Sequence, residues 1–175
     1  MHNVNLHAVE ESAARAGSEP EALRQHVELA GDWQTQEGAA QFRASIPYPL
    51  GEIEFSADFP PPLGGTGSAP SPLAYCFWGG LACYAMTFAT EAARAGVELK
   101  ALHGTVETDV DLTRSLGVGD NPPVEEIRWT LEVEADAPAE VIDRLKRQAD
   151  ERCPGVYCIR NPIALETRVA MGGSA

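Results

Sequence analysis

The sequence is poor in basic residues: 13 Lys and Arg stand against 26 Asp and Glu, which gives a net charge of -13 at pH 7. The basic residues are scattered, so we expect no surface that binds nucleic acid or an anionic membrane. The first residues lack the basic start and apolar run of a signal peptide. The longest apolar stretch, 73–89, is interrupted by Gly79, Gly80 and Thr87. A cytoplasmic location follows as an expectation.

The sequence also lacks the short motifs that mark many binding and catalytic sites. It has no G-x-G-x-x-G, Walker loop, H-E-x-x-H or G-x-S-x-G. Its four cysteines, Cys76, Cys83, Cys153 and Cys158, are not spaced as the tight pairs of a structural zinc site. We therefore expect neither a metal ion nor another cofactor.

The periodicity of the sequence predicts one α+β domain. A chain of 175 residues with 44% hydrophobic residues is long enough for a single core. The predicted order is three strands, a long helix, two strands, a helix and a last strand, after an N-terminal helical region. The predicted ranges are helix 8–27 with a break at 17–18, strands 27–34, 40–46 and 52–59, helix 71–95, strands 99–112 and 125–136, a helix opening at 136–140 and ending at 152, and strand 163–171.

The long helix is the central feature of this prediction. Ser71 can cap it, Pro72 suits its first position and Gly96 can end it. It is apolar on nearly all sides before Glu91, so it must be central to the domain or lie in a subunit interface. The preceding loop, 60–70, is either a connector or the rim of a pocket.

Two cysteines distant in sequence are the main chemical feature. Cys83 lies within the long helix, and Cys153 lies at the end of the second helix, directly before Pro154. If the fold brings them together, one thiolate can attack a peroxide and the other can resolve the product as a disulfide. Taken singly, each thiol is more typical of a buried core residue. Gly79 and Gly80 within the helix indicate close approach of another helix or of a ligand.

The order of these features resembles the OsmC/Ohr family of organic hydroperoxide reductases, over about residues 27–170. The resemblance implies antiparallel sheets around a long central helix and an intertwined homodimer with two sites at the subunit interface. Residues 1–26 would be an N-terminal helical extension and 27–175 the OsmC-like domain. The stretches that carry the resemblance are Ser71-Pro72, Ala82-Cys83, Met86, Ala93-Arg-Ala-Gly-Val-Glu-Leu99 and Cys153-Pro154.

The resemblance also implies an activity, thiol-dependent reduction of organic hydroperoxides as an antioxidant in the oxidative stress response. Cys83 would attack the peroxide, Cys153 would resolve it, and an external dithiol would reduce the resulting disulfide. Aromatic and apolar side chains along the helix would either line an apolar substrate pocket or form core; these are Phe77, Trp78, Tyr84, Met86 and Phe88.

The sequence departs from the family pattern at two positions. The peroxidases pair the reactive thiol with an Arg from the N-terminal strands and a Glu near the start of the central helix. Leu73 stands where that Glu is expected, and Arg43 is either the partner of the thiolate or a solvated strand residue. Two alternatives therefore stay open: a ligand-binding or redox-sensing protein without efficient peroxidase activity, and an interaction domain with inert cysteines. Cys76 and Cys158 are alternative resolving thiols or core residues.

Overall fold

The computed structural model of the protein describes residues 3–171, which form an α+β fold as predicted. The strands make two separate antiparallel sheets, one of three strands in the order β1-β2-β3 and one formed by β4 and β5. Short 3₁₀ turns lie at Pro20–Leu23 and Pro61–Leu63. The elements are α1 (Leu6–Ser18), β1 (Asp32–Trp33), β2 (Phe42–Tyr48), β3 (Gly51–Ala57), α2 (Pro72–Arg94), β4 (Leu99–Glu107), β5 (Arg128–Ala135), α3 (Ala139–Arg152) and α4 (Pro154–Arg160).

The long central helix α2 has the predicted ends. The Ser71 hydroxyl accepts a hydrogen bond from the Ala74 N–H at 3.3 Å, and Pro72 occupies the first helical position. Gly96 follows the helix with φ of +67°, a left-handed conformation that favours glycine. By length and composition α2 is also long and apolar enough to cross a membrane. Its packing against α3, α4 and β4 is that of the central helix of the fold.

The core lies where α2 meets α3 and the second sheet. Phe88 and Ala92 of α2 pack against Leu145 and Ala149 of α3, all at most 2% exposed. Half-buried side chains of β4 and β5, among them Leu131, close this cluster from the sheet side. This packing holds the end of α3, where Cys153 lies, against the middle of α2, where Cys83 lies.

The β2–β3 hairpin of the first sheet has one apolar and one polar face. Ala44 pairs with Phe55 on the apolar face, whereas Arg43 pairs with Ser56 on the polar face. The Phe55 ring contacts the ring of Tyr75, near the start of α2, with centroids 5.2 Å apart. The apolar face is therefore turned towards α2 and the Arg43 side of the hairpin away from it.

Several predicted elements are shorter than expected. The N-terminal helix ends at Ser18, because Pro20 restricts the residue before it. Of the rest of 8–27, only Pro20–Leu23 forms a 3₁₀ turn, and 24–27 has no regular secondary structure. The strand predicted over 27–34 is reduced to β1, which pairs with β2 at two positions. The pairing of β4 with β5 stops at Glu107 and Arg128, and the intervening 108–127 is a loop.

The prediction is wrong for the C-terminal region. A fourth helix, α4, follows Cys153 where the sequence predicted only a stop, since Pro154 is also compatible with the first position of a helix. The strand predicted over 163–171 is absent, because no strand of the same chain pairs with it among residues 3–171. Ile163, Leu165, Val169 and Met171 are exposed by 60–99%. Residues 1–2 and 172–175 of the predicted domain ranges lie outside the described part of the chain.

Candidate active site

The fold brings the two predicted thiols together. Cys153 Sγ lies 3.6 Å from Cys83 Sγ, although the residues are 70 positions apart in sequence. Cys153 is 1% exposed and Cys83 is half-buried. All four cysteines of the chain are free thiols. A disulfide bond is about 2.05 Å long, so a small movement of the two sulfurs would allow a disulfide to form.

Two glycines lie close to this site. A Cβ at Gly155 would make ordinary van der Waals contacts, at 3.4 Å to Cys83 Cβ and 3.5 Å to Cys153 Sγ, so glycine is not required there. A Cβ at Gly80 would lie 2.6 Å from Trp129 Cζ2, so only glycine fits between α2 and β5 at this point. The close approach at Gly80 is made mainly by strand β5 rather than by the expected helix, with Ile159 of α4 at 3.6 Å. Among residues 3–171, a Cβ at Gly79 would have no neighbour within 4 Å.

The surroundings of Cys83 disfavour its thiolate within one chain. Burial raises the pKa of Cys83, and the neighbouring Cys153 and Cys158 raise it further. The backbone N–H of Gly155 donates to the Cys83 sulfur and opposes this shift, but the net direction is upward. None of these contributions comes from a lysine or arginine. A reactive thiol needs a cation or a similar source of stabilisation, and among residues 3–171 the leading contributions to the pKa of Cys83 include no cation.

The structure does not bring Arg43 to the thiols. Arg43 is exposed, lies on β2, and stands on the hairpin face opposite to the one that meets α2. Leu73, at the position of the expected Glu, lies in the first turn of α2 and is 39% exposed. The Arg and Glu partners of the family pattern are thus not assembled around Cys83 within the described residues of one chain.

A hydrogen-bonded network next to the thiols was not predicted from the sequence. Tyr84 Oη donates to Asp150 Oδ1 at 2.8 Å, and Lys146 Nζ donates to Asp150 Oδ2 at 2.7 Å. Burial and the Asp150 carboxylate raise the pKa of Tyr84. Burial opposes ionisation of Asp150, but the hydrogen bonds from Lys146 and Tyr84 and the positive charges of Lys146 and Arg160 outweigh it and lower its pKa. Asp150 is therefore ionised and Tyr84 neutral at pH 7.

A second unpredicted link joins α2 to the end of α3. Glu91 is 3% exposed, and its carboxylate accepts hydrogen bonds from Arg94 Nη1 at 2.8 Å and from Arg152 Nη1. The single sequence signal for it was that Glu91 ends the apolar run of α2. Asp150 and Arg152 both lie within the last turn of α3, next to Cys153.

The remaining predicted side chains divide between core and surface. Tyr84 and Phe88 are buried, whereas Trp78 and Met86 are 60% and 70% exposed, so they do not form one pocket wall within a single chain. Cys76 and Cys158 are exposed rather than core. Cys158 is close enough to raise the pKa of Cys83.

The loop before α2 forms part of a cavity wall, as one of the two alternatives expected. Phe59, Pro60 and Leu63 line a cavity of about 1080 Å³ together with Phe77 and the end of β4. Neither Cys83 nor Cys153 is among its lining residues.

A smaller cavity of about 280 Å³ lies beside the Tyr84–Asp150 pair, and neither Cys83 nor Cys153 is among its lining residues. It is lined by Tyr84, Trp129, Asp150, Val156 and Arg160, among others. Tyr84 follows Cys83 directly in the chain. Among residues 3–171, no three His, Cys, Asp or Glu side chains converge to hold a metal ion.

The loop conformation depends on a buried carboxylate. Asp58, 2% exposed, accepts hydrogen bonds through Oδ2 from the N–H and hydroxyl of both Thr66 and Ser68, at 2.7–3.1 Å. These bonds, led by that from the Thr66 hydroxyl, hold the pKa of Asp58 well below its usual range. Asp58 thus fixes the loop that forms the wall of the larger cavity.

Comparisons with known proteins agree with this architecture. Residues 65–168 of the 175 match the model of the family described as OsmC-like protein. None of the curated proteins matches the chain. An OsmC-like protein from Mycoplasma pneumoniae has a similar structure, with a TM-score of 0.59 and 16% identity over 79% of this chain and 89% of that one.

Two further solved structures share the fold at low identity. The organic hydroperoxide resistance protein OsmC from Legionella pneumophila is similar with a TM-score of 0.53 and 17% identity, over 78% of this chain and 92% of its own. An OsmC-like protein of unknown function from Vibrio cholerae is similar with a TM-score of 0.53 and 11% identity, over 77% of this chain and 93% of its own. Because the family model covers more than half of the sequence, the chain belongs to the OsmC-like protein family.

Proposed function

We propose that this protein is a thiol-dependent peroxidase that reduces organic hydroperoxides, with Cys83 as the attacking and Cys153 as the resolving residue. The observation that carries the proposal is the 3.6 Å separation of the two sulfurs. Membership of the OsmC-like family supports it, as does the fold shared with a Legionella protein described as an organic hydroperoxide resistance protein. On this proposal the protein serves as an antioxidant in the oxidative stress response of the cytoplasm.

The proposed reaction balances with one external dithiol per turnover. The Cys83 thiolate attacks the outer peroxide oxygen, the O–O bond breaks, and the alkoxide leaves as an alcohol after taking a proton. Cys83 is then a sulfenic acid. The Cys153 sulfur attacks it, water leaves and the Cys83–Cys153 disulfide forms. The dithiol reduces this disulfide by two exchange steps and is itself oxidised to a disulfide.

We further propose that the active form is an intertwined homodimer. Exposed apolar side chains support it: Trp78 and Met86 on the central helix are 60% and 70% exposed, and Ile53 in the first sheet is 51% exposed. The alternating apolar residues of 163–171 also pair with no strand among the described residues 3–171. In this assembly 27–175 is the OsmC-like domain and 1–26 a helical extension.

Arg43 is proposed to act in the dimer, on the Cys83 thiol of the second copy. Within one chain it stands on the face of the hairpin turned away from α2. Its exposure leaves its guanidinium free to reach another subunit. A guanidinium beside Cys83 would offset the burial that raises the pKa of this thiol.

One observation favours a second function. The pKa of Cys83 is raised within its own chain, and Leu73 replaces the expected Glu. A family member with these properties would bind a ligand or sense redox state through the thiol pair without efficient peroxide turnover. The cavity of about 280 Å³ beside Tyr84 would then hold the ligand.

Consumption of cumene hydroperoxide with dithiothreitol as the reductant separates the two functions. The peroxidase proposal predicts multiple turnovers, none with Cys83→Ser, and slower turnover with Cys153→Ser, because dithiothreitol must then reduce the Cys83 sulfenic acid directly. Cys76→Ser, which changes an exposed thiol outside the pair, is the matched control and should keep the wild-type rate. If the protein shows no turnover but still forms the Cys83–Cys153 disulfide when treated with an oxidant, the sensing or binding function is supported instead.

A further inference from the structure

We propose that Glu91 is a positioning residue for the resolving thiol, because its contact with Arg152 fixes the end of α3, and with it Cys153, against α2. The consequence for peroxide turnover rests on the proposed function. The positioning itself is a property of the thiol pair and can be measured without peroxide.

The two hydrogen bonds of Glu91 have different structural meanings. Arg94 lies three residues further along the same helix, so its bond to Glu91 Oε1 links nothing beyond α2. Arg152 lies 61 residues away, so its bond to Glu91 Oε2 joins two helices. A carboxylate that is 3% exposed is stable as an ion only when its oxygens are satisfied. Because Glu91 is buried, its Oε2 atom needs the hydrogen bond from Arg152.

Arg152 transmits this constraint directly to the thiol. It is the last residue of α3, and Cys153 follows it in an extended conformation. Helix ends fray when nothing holds them. The last turn of α3 is held at two points, by Glu91 at Arg152 and by Tyr84 at Asp150, and both anchors lie on α2 together with Cys83. The distance between the two sulfurs is therefore set by these side chains as well as by the core.

Holding two thiols in place raises their effective concentration towards each other. A high effective concentration favours the Cys83–Cys153 disulfide over mixed disulfides with small thiols. It also allows Cys153 to reach a Cys83 sulfenic acid before a second peroxide oxidises it further. Loss of the Glu91–Arg152 contact should weaken both effects without removing either thiol.

The test measures the effective concentration of Cys83 and Cys153 in glutathione redox buffers, in a chain carrying Cys76→Ser and Cys158→Ser. We expect Arg152→Gln to lower it about ten-fold, the size of a partly solvated hydrogen bond to a charged group. Arg152→Lys, which keeps a cation, should restore most of the loss. Two controls should stay within about two-fold of the parent: Arg94→Gln, which leaves the link between the helices intact, and Glu151→Gln, an exposed neighbour on the same turn.

Each outcome decides the inference. An unchanged effective concentration in Arg152→Gln would overturn it, and so would an equal fall in Arg152→Gln and Arg94→Gln. The unfolding free energy of each variant, measured in parallel, tells local loosening from general destabilisation. Failure of the proposed peroxidase would be seen separately: a protein that consumes no peroxide but loses effective concentration in Arg152→Gln, with Lys rescue, keeps Glu91 as a positioning residue and loses the proposed function.

Discussion

The ring of Trp129 lies so close to the Cα of Gly80 that a Cβ at this position would stand 2.6 Å from Trp129 Cζ2. The neighbouring Gly79 has no such neighbour within 4 Å. The two adjacent glycines of α2 therefore differ in what they permit. Gly80 lets β5 and α4 approach the helix just before Cys83, whereas Gly79 serves no packing purpose in the single chain.

This difference gives a paired prediction for stability. Gly80→Ala should lower the unfolding free energy by about 1–3 kcal/mol, because the added methyl group must displace a half-buried indole. Gly79→Ala should raise it by about 1 kcal/mol through helix propensity. Denaturant unfolding of both variants checks this. Equal effects of the same sign would contradict the contact between Gly80 and Trp129, or show that Gly79 is covered in the dimer.

Local signals explain what could be predicted from the sequence. Ser71 and Pro72 at one end and Gly96 at the other mark α2, and all three act through their own backbone or nearest turn. The β2–β3 hairpin was predictable because its alternation of apolar and polar residues matches the two faces of a sheet. These signals need no knowledge of distant parts of the chain.

The parts that failed depend on distant contacts or on ambiguous residues. Pro154 is compatible with the end of one helix and with the start of the next. The helix that it starts, α4, packs against α2, and this distant contact favours the helical conformation. The alternation of 163–171 is typical of a strand, but a strand requires pairing, and within residues 3–171 this segment pairs with no edge of either sheet. The contacts Tyr84–Asp150 and Glu91–Arg152 span 66 and 61 residues, and no local pattern indicates such pairs.

Removal of the Tyr84 hydroxyl should weaken the link between α2 and α3. Tyr84→Phe keeps the buried ring but leaves Asp150 with one donor fewer, so we expect a loss of about 1–2 kcal/mol in unfolding free energy. Tyr75→Phe is the control, since its hydroxyl donates at 2.8 Å to the neutral backbone oxygen of Ser56 in the first sheet. Both variants would be compared by denaturant unfolding. A loss for Tyr84→Phe no larger than for Tyr75→Phe would show that the charge of Asp150 adds nothing.

The buried carboxylate of Asp58 should make stability depend on pH in the acid range. Its pKa is lower in the folded protein than the unperturbed value of 3.8, so the unfolded state takes up a proton first as the pH falls. The stabilisation is complete above pH 3.8 and is lost as the pH falls below it towards the folded pKa. Asp58→Asn should flatten this part of the curve of unfolding free energy against pH. If the unfolding free energy of Asp58→Asn falls with pH as steeply as that of the wild type, Asp58 is not the source of this pH dependence.

The acidity of Cys83 tests the proposed role of Arg43. Burial raises the pKa of this thiol in a single chain, and in the proposed dimer the Arg43 guanidinium of the second copy would offset this shift. We expect Arg43→Gln to move the pH profile of Cys83 alkylation by iodoacetamide to higher pH, with Arg43→Lys between the two. Arg114→Gln, in the loop after β4, is the control and should leave the profile unchanged. A wild-type profile already at high pH, unmoved by Arg43→Gln, would favour the binding or sensing function.

The most direct test of the central claim is to map the thiols after one equivalent of peroxide. Reduced protein is treated with cumene hydroperoxide, the remaining thiols are alkylated, and the cysteines are identified by mass spectrometry. We expect a rapid Cys83–Cys153 disulfide, its absence in Cys83→Ser, and a sulfenic acid at Cys83 in Cys153→Ser. Four alkylated, unoxidised cysteines in the wild type would contradict it.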